Sequence, residues 1–211
     1  MLALMPRPTV YNKDDGAWDL NDQEWEMQFW PRIIFADCGT ATGVAVVWFH
    51  PTRLMDLQKA STRAILATWT SYAGGEENGQ AQEILRLCRG LGGPAGLCVG
   101  LEKFTVQKIG KEETFLSSPR IASKIEFGLW SGIRDHDDVV RRRAAIWQNP
   151  SDIKKGAEGD SRLKVLGLYK PGPDHINDAM KHALLHLGRV RNGGLGTFER
   201  LYGWDEGWKD A

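Results

Sequence analysis

The sequence predicts a mixed α/β domain, a five-stranded sheet flanked by helices. Three observations predict it. Short apolar runs, Ile33-Ile34-Phe35-Ala36 and Leu97-Cys98-Val99-Gly100-Leu101, have strand length and end at turn or charged residues. Other stretches carry a helical period, most clearly 174–188. The order is three strands, then helix and strand twice, then a closing helix, which is the order of a mixed sheet rather than of a bundle or a sandwich.

Each element has its own reason. Residues 33–38 read as the first strand, Gly39-Thr40-Ala41-Thr42-Gly43 as a tight turn, and 44–50 as a second strand, so 33–50 is a hairpin. Residues 63–72 read as a third strand at an edge. Over 78–90, Ile84, Leu85, Leu87 and Cys88 share one helix face and Gly90 reads as its stop. Residues 97–102 are the fourth strand. Residues 118–132 read as a helix with Pro119 near its first position, 143–148 as a short fifth strand, and 151–168 as a broken, basic helical stretch. In the closing helix Ile176, Ala179, Met180, Ala183, Leu184 and Leu187 form an apolar stripe, and Gly188 reads as its end. A second stripe holds His175, Asp178, His182 and His186, the last two read as solvated or supporting.

A chain of 211 residues is long enough for one self-sufficient core. Its three cysteines, Cys38, Cys88 and Cys98, form no CxxC pair, which argues against a disulfide framework or a zinc knuckle and for a reducing compartment. No apolar stretch is long enough to span a bilayer, and the N-terminus lacks the pattern of a signal peptide, so a cytoplasmic protein away from the membrane is expected. Net charge is zero, yet 1–31 carries six acids against two bases, leaving the remainder net positive by four. An acidic arm on a basic body is compatible with a nucleic-acid partner for the body.

Four residues carry the chemistry. Asp37 and Glu102 each end a predicted strand, where a buried charge is costly unless paired or bound to metal. His175 and Asp178, three apart at the start of the closing helix, can face one point. If the first and fourth strands are neighbours, the acids converge into a carboxylate cluster for divalent metal, of the kind a nuclease uses to activate water and neutralise a phosphate. Plainer readings stand beside this. Asp37 fits a turn former before glycine, Glu102 a partner for a lysine, and Asp178 a charge favoured at a helix N-terminus. Asp174 reads as an N-cap, with a ligand role open. Cys38 reads as a buried, inert thiol.

These residues resemble the RuvC-type Holliday-junction resolvases of the RNase H-like fold. Asp37-Cys38-Gly39-Thr40-Ala41-Thr42-Gly43-Val44-Ala45 is similar to the family's first strand and turn, although Cys38 replaces the usual proline and no aromatic follows Gly43. Val99-Gly100-Leu101-Glu102-Lys103-Phe104 resembles its fourth strand, and Pro150-Ser151-Asp152-Ile153-Lys154-Lys155 with the later Lys164 its basic segment. Pro171-Gly172-Pro173-Asp174-His175-Ile176-Asn177-Asp178-Ala179 resembles its closing helix. The likeness covers about 33–188.

The resemblance implies an RNase H-like nuclease domain over 32–188, with an acidic arm at 1–31 and a tail at 189–211. It implies a crossover junction endodeoxyribonuclease with a two-metal Mg²⁺ site, Mn²⁺ able to substitute, held by Asp37, Glu102, His175 and Asp178. Lys154, Lys155 and Lys164 would stand near the scissile phosphate. Phe104 would stack on a base, and Lys103 and Arg162 would contact DNA; apart from the resemblance, Arg120 and Lys124, four apart on one helix, read as phosphate contacts or as a solvated face. It implies a homodimer that nicks a four-way junction in pairs, and the added segments suggest a bacteriophage-encoded relative. RNA–DNA hybrid cleavage, or junction binding without cutting, are the alternatives. A sugar-kinase-like phosphate loop also fits Asp37 to Gly43, but no second such loop is present.

Overall fold

The computed structural model describes residues 30–56, 60–73, 75–91, 96–104, 117–134, 140–141, 143–155, 159–172 and 174–202. The expected arm apart from Trp30 and Pro31, the tail beyond Tyr202, Pro173, and the side chains of Lys154 and Lys155 lie outside the described residues.

The first apolar run becomes β1 (Arg32–Asp37), which pairs antiparallel with β2 (Thr42–Phe49), as a hairpin closed by a four-residue turn requires. After a short helix α1 (Pro51–Met55) and a 3-10 turn over 61–64, β3 (Ile65–Ala73) pairs antiparallel with β2 and forms one edge. Helix α2 (Glu77–Gly90) returns the chain to β4 (Leu97–Glu102), which lies parallel to β1. Helix α3 (Ser117–Ser131) and a two-stranded hairpin, β5 (Ile133–Arg134) with β6 (Val140–Arg141), lead to β7 (Ile146–Gln148), parallel to β4 at the other edge. Two short helices, α4 (Pro150–Lys155) and α5 (Asp160–Val165), precede the long α6 (His175–Tyr202). The main sheet has the order β3-β2-β1-β4-β7, the five-stranded mixed arrangement expected of the RNase H-like fold. The expected fifth strand at 143–148 begins only at Ile146, and the broken helix at 151–168 is two helices with a gap.

β1 is covered on both faces, which is why it reads as an unbroken apolar run rather than an alternation. Ile34 and Ala36, with Val44, Val46, Val99 and Leu101, pack against Ile84 and Cys88 of α2 and Ile121, Ile125 and Leu129 of α3. Ile33 and Phe35, with Ala45, Val47 and Phe49, pack against Ala179, Met180, Ala183, Leu184, Leu187 and Val190 of α6. Arg32 is also buried, its guanidinium donating to the carbonyls of Leu91 (2.5 Å) and Trp30 (3.0 Å) at the start of β1. No described helix is long and apolar enough to cross a membrane.

The closing helix corrects the sequence reading. It does not stop at Gly188 but runs to Tyr202, and the expected tail is helical over 189–202. An interior glycine costs only about 1 kcal/mol, less than burying Val190, Phe198 and Tyr202 returns. The interruption lies at Gly194, where φ is 73° and ψ −175°, a conformation that only glycine takes readily. Beyond it, Phe198 and Tyr202 stack on one another and pack edge-on against Phe49.

Candidate active site

Parallel pairing of the two central strands builds the site. Ala36 stands opposite Leu101, so the next residue on each strand, Asp37 and Glu102, emerges side by side at the carboxyl ends of β1 and β4. Asp37 is 5% exposed and Glu102 half-buried. The start of α6 is set over this end of the sheet. Gly43, the cross-strand partner of Asp37, lies directly beneath it, and a Cβ there would stand 2.2 Å from the His175 backbone carbonyl. Absence of a side chain at 43 is therefore what lets the helix come down onto the strand. His175 Nδ1 then meets Asp37 Oδ2 at 2.7 Å.

Burial works to raise the pKa of Asp37, but hydrogen bonds with His175 and Glu102, and the nearby His175 charge, outweigh it and hold the carboxylate below its ordinary range. The bond to Asp37 raises His175 above its usual value, against partial burial, and the charges of Asp178 and Asp174 add to the rise. His175 thus rests on a carboxylate that favours its protonated form, with 41% of its side chain open to solvent. Cys38 next door is buried, and burial together with the charges of Asp37 and Glu102 pushes its thiol far up, so it stays protonated and inert as expected.

The structure thus brings three of the four expected residues together. Asp178, one turn along α6, is close enough to influence His175, but its Oδ1 is taken by Lys181 Nζ at 2.7 Å. The same ammonium reaches Asp160 of α5, also at 2.7 Å. The Asp174 carbonyl accepts the Asp178 N–H at 2.8 Å, which fits the helix-start position read from sequence. Asn177 is buried and holds the incoming chain, accepting from Lys170 N–H (2.9 Å) and donating to Lys170 C=O (2.8 Å).

His182 and His186, read as solvated or supporting, are both buried, because α6 is covered over a wider arc than its apolar stripe. His186 Nε2 meets the Tyr202 hydroxyl at 2.8 Å. His182 stacks flat on Phe35 with ring centroids 4.6 Å apart; its Nδ1 is 2.9 Å from Gln148 Oε1 and its Nε2 3.9 Å from Glu102 Oε2. Burial pushes both histidines down to about 4. The signal for His182 was present, since it lies four residues after Asp178 on the same stripe. Gln148 had none. Gln80 is a further residue that sequence missed: buried, it accepts from the Thr42 hydroxyl (2.5 Å) and donates to the carbonyls of Thr40 and Gly75, fixing the turn after Asp37.

The expected DNA-contacting residues are dispersed. Lys103 is exposed just beyond Glu102, and Phe104 is half-buried beside it. Arg120 and Lys124 both turn to Glu77, at 3.6 and 3.5 Å. Lys164 is exposed on α5 with its ammonium 4.7 Å from the centre of the Tyr169 ring, and Arg162 is half-buried on the same helix. Lys154 and Lys155 lie on α4, which Asp152 ties to α6 through Arg189 at 2.8 Å. An open cleft of about 430 Å³ behind the turn at Gly39 and Thr40 is lined by Glu76, Glu77, Gln80 and Lys124, and not by the three converging residues.

Among the described residues no group of three or more His, Cys, Asp and Glu is arranged to hold a metal ion by itself. The chemistry of the Asp37–Glu102 pair nevertheless suits one hard cation. Two carboxyl groups in mutual hydrogen-bonding reach, one of them nearly buried, share like charge that a divalent ion would offset. Asp178 has one oxygen engaged by Lys181, which leaves Oδ2 as the atom it could offer.

No family model matches the chain, and no curated protein matches it. Among solved structures it is similar to T. thermophilus RuvC in complex with a Holliday junction substrate, with a TM-score of 0.47 and 16% identity, over 77% of this chain and 96% of that one.

Proposed function

We propose that this chain is a divalent-metal-dependent endodeoxyribonuclease acting on branched DNA, and that it resolves four-way junctions by paired nicks as a homodimer. The observation that carries the nuclease reading is the meeting of Asp37 and Glu102 at the ends of adjacent parallel strands, with His175 on the first. A fold that only needed a stable sheet end would gain nothing from crowding two acids there. Asp37 and Glu102 would hold Mg²⁺ or Mn²⁺, and a second ion would additionally need Asp178. When bound, the metal supplies positive charge to the phosphoryl oxygens and a more acidic water.

The chain's own groups do the rest. Asp37 orients His175 through Nδ1, and the exposed side of that ring can deliver or accept a proton at the scissile phosphate. Lys103, exposed beside Glu102, would meet the DNA backbone. Lys154, Lys155 and Lys164, with Phe104 as a stacking residue, are assigned from the resemblance of the sequence to the resolvase family. The choice of junction DNA rests on the same likeness, above all on Asp174-His175-Ile176-Asn177-Asp178-Ala179, and a phage origin on the segments added at either end.

The test is a labelled four-way junction incubated with Mg²⁺, beside an RNA–DNA hybrid. We expect symmetrical cuts in the junction and none in the hybrid. Asp37→Asn and Glu102→Gln should each lower the rate by at least about 10³-fold while junction binding persists, because loss of an acid reduces repulsion of phosphate. Normal cutting by either variant removes the site assignment. Preferred cutting of the hybrid, or a shifted band without cutting, replaces the substrate or the activity.

A further inference from the structure

His182 is fully buried, and it is held between a strand residue and one of the two converging acids. Its Nδ1 lies 2.9 Å from Gln148 Oε1, and its Nε2 faces Glu102 Oε2 at 3.9 Å. Two buried atoms of this trio, His182 Nε2 and Gln148 Nε2, have no hydrogen-bond partner among the described residues. The vacancy on the ring follows from the way the amide is turned. With the Gln148 oxygen toward the ring, Nδ1 must carry the proton, so the Nε2 lone pair confronts a carboxylate and the Gln148 amino group faces nothing.

The two ends of an amide are interchangeable in shape, and turning Gln148 over exchanges them. Its NH₂ then donates to Nδ1. With Nδ1 accepting, the neutral ring carries its single proton on Nε2, facing the acceptor oxygens of Glu102. A closure of about 1 Å brings that pair to hydrogen-bond length. The register favours the arrangement, because Gln148 is the cross-strand partner of Glu102 in the β4–β7 pair. Phe35 fixes the ring plane from below, with only 8° between the two rings.

We propose that Gln148 and His182 form a buried relay that positions Glu102, with the Gln148 amide donating to Nδ1 and His182 Nε2–H aimed at the carboxylate. One Glu102 oxygen is thereby held and the other left to face Asp37. His182 is a positioning residue, and its consequence for metal affinity rests on the nuclease reading above; the proton's location does not.

The experiment is a long-range ¹H–¹⁵N correlation spectrum of the full chain, which distinguishes the two neutral tautomers of each histidine ring. We expect His182 in the Nε2–H form, and a mixture of forms in Gln148→Met. In a Mn²⁺ titration His182→Phe, which keeps the stacking on Phe35, should bind about 10-fold more weakly than the parent chain at an unchanged melting temperature. An Nδ1–H ring in the parent chain overturns the relay, as does a His182→Phe protein of unaltered Mn²⁺ affinity. A chain that shows the Nε2–H form and the change in Gln148→Met, yet takes up no Mn²⁺, sustains the relay and removes the metal reading instead.

Discussion

At the residue scale the contact between His175 and Asp37 gives the site a pH signature. The folded-state pKa of Asp37 is lowered, so its contribution to stability is complete above its ordinary 3.8 and is lost as pH falls through the folded value. The folded-state pKa of His175 is raised, so its contribution is complete below its ordinary 6.5 and is lost as pH rises through the folded value. The pair therefore stabilises most between those limits. His175→Gln should flatten the pH dependence of the urea midpoint on both flanks, most clearly on the side above 6.5; an unchanged alkaline flank would mean that the imidazole is not tied to Asp37. Asp37, Glu102 and His175 were legible from sequence because each sits at the boundary of a strongly patterned element. Lys181 lies three residues after Asp178 on the same helix, a pairing that spacing alone allows; the second acid on that ammonium, Asp160, was not legible, because it arrives only through the packing of α5 on α6.

At the element scale the closing helix shows where local signals lose to burial. Gly188 reads as a stop, yet it sits inside the helix with open space where a Cβ would be. Gly194 gives no stronger signal in the sequence, but it is the position that bends the chain so that Phe198 and Tyr202 reach the core. The two substitutions should therefore have opposite signs. Gly188→Ala should stabilise by about 0.5–1 kcal/mol by removing backbone freedom in a helix, and Gly194→Ala should cost about 1–3 kcal/mol by forcing a Cβ into a glycine-only conformation. Urea denaturation of the pair measures both, and equal effects would contradict the kink. The strands were read better. The fourth was placed at 97–102 as found, because a strand buried on both faces leaves an unbroken apolar run.

At the scale of the whole molecule the sheet has two covered faces and one end at which acids meet. Strand order was open to inference, since two carboxylates can meet only if the first and fourth strands adjoin, and they do. The inward turn of His182 was not, because it depends on which arc of α6 faces the sheet. A cation bound at this end should stabilise the entire domain by mass action, by about 2.7 kcal/mol at a hundred times its dissociation constant. Addition of Mn²⁺ should raise the melting temperature of the parent chain and leave that of Asp37→Asn unmoved; a rise in both would place the ion elsewhere. The buried arginine at the head of β1 has a consequence for the opposite end. Arg32 and Asp37 bookend one short strand with opposite charges, each fitted to its own polar socket. Sliding β1 by a single residue would swing both ions into greasy layers with no partners waiting. The strand is in effect keyed like a bolt, and the acid at its tip owes its fixed station to a guanidinium about 17 Å behind it.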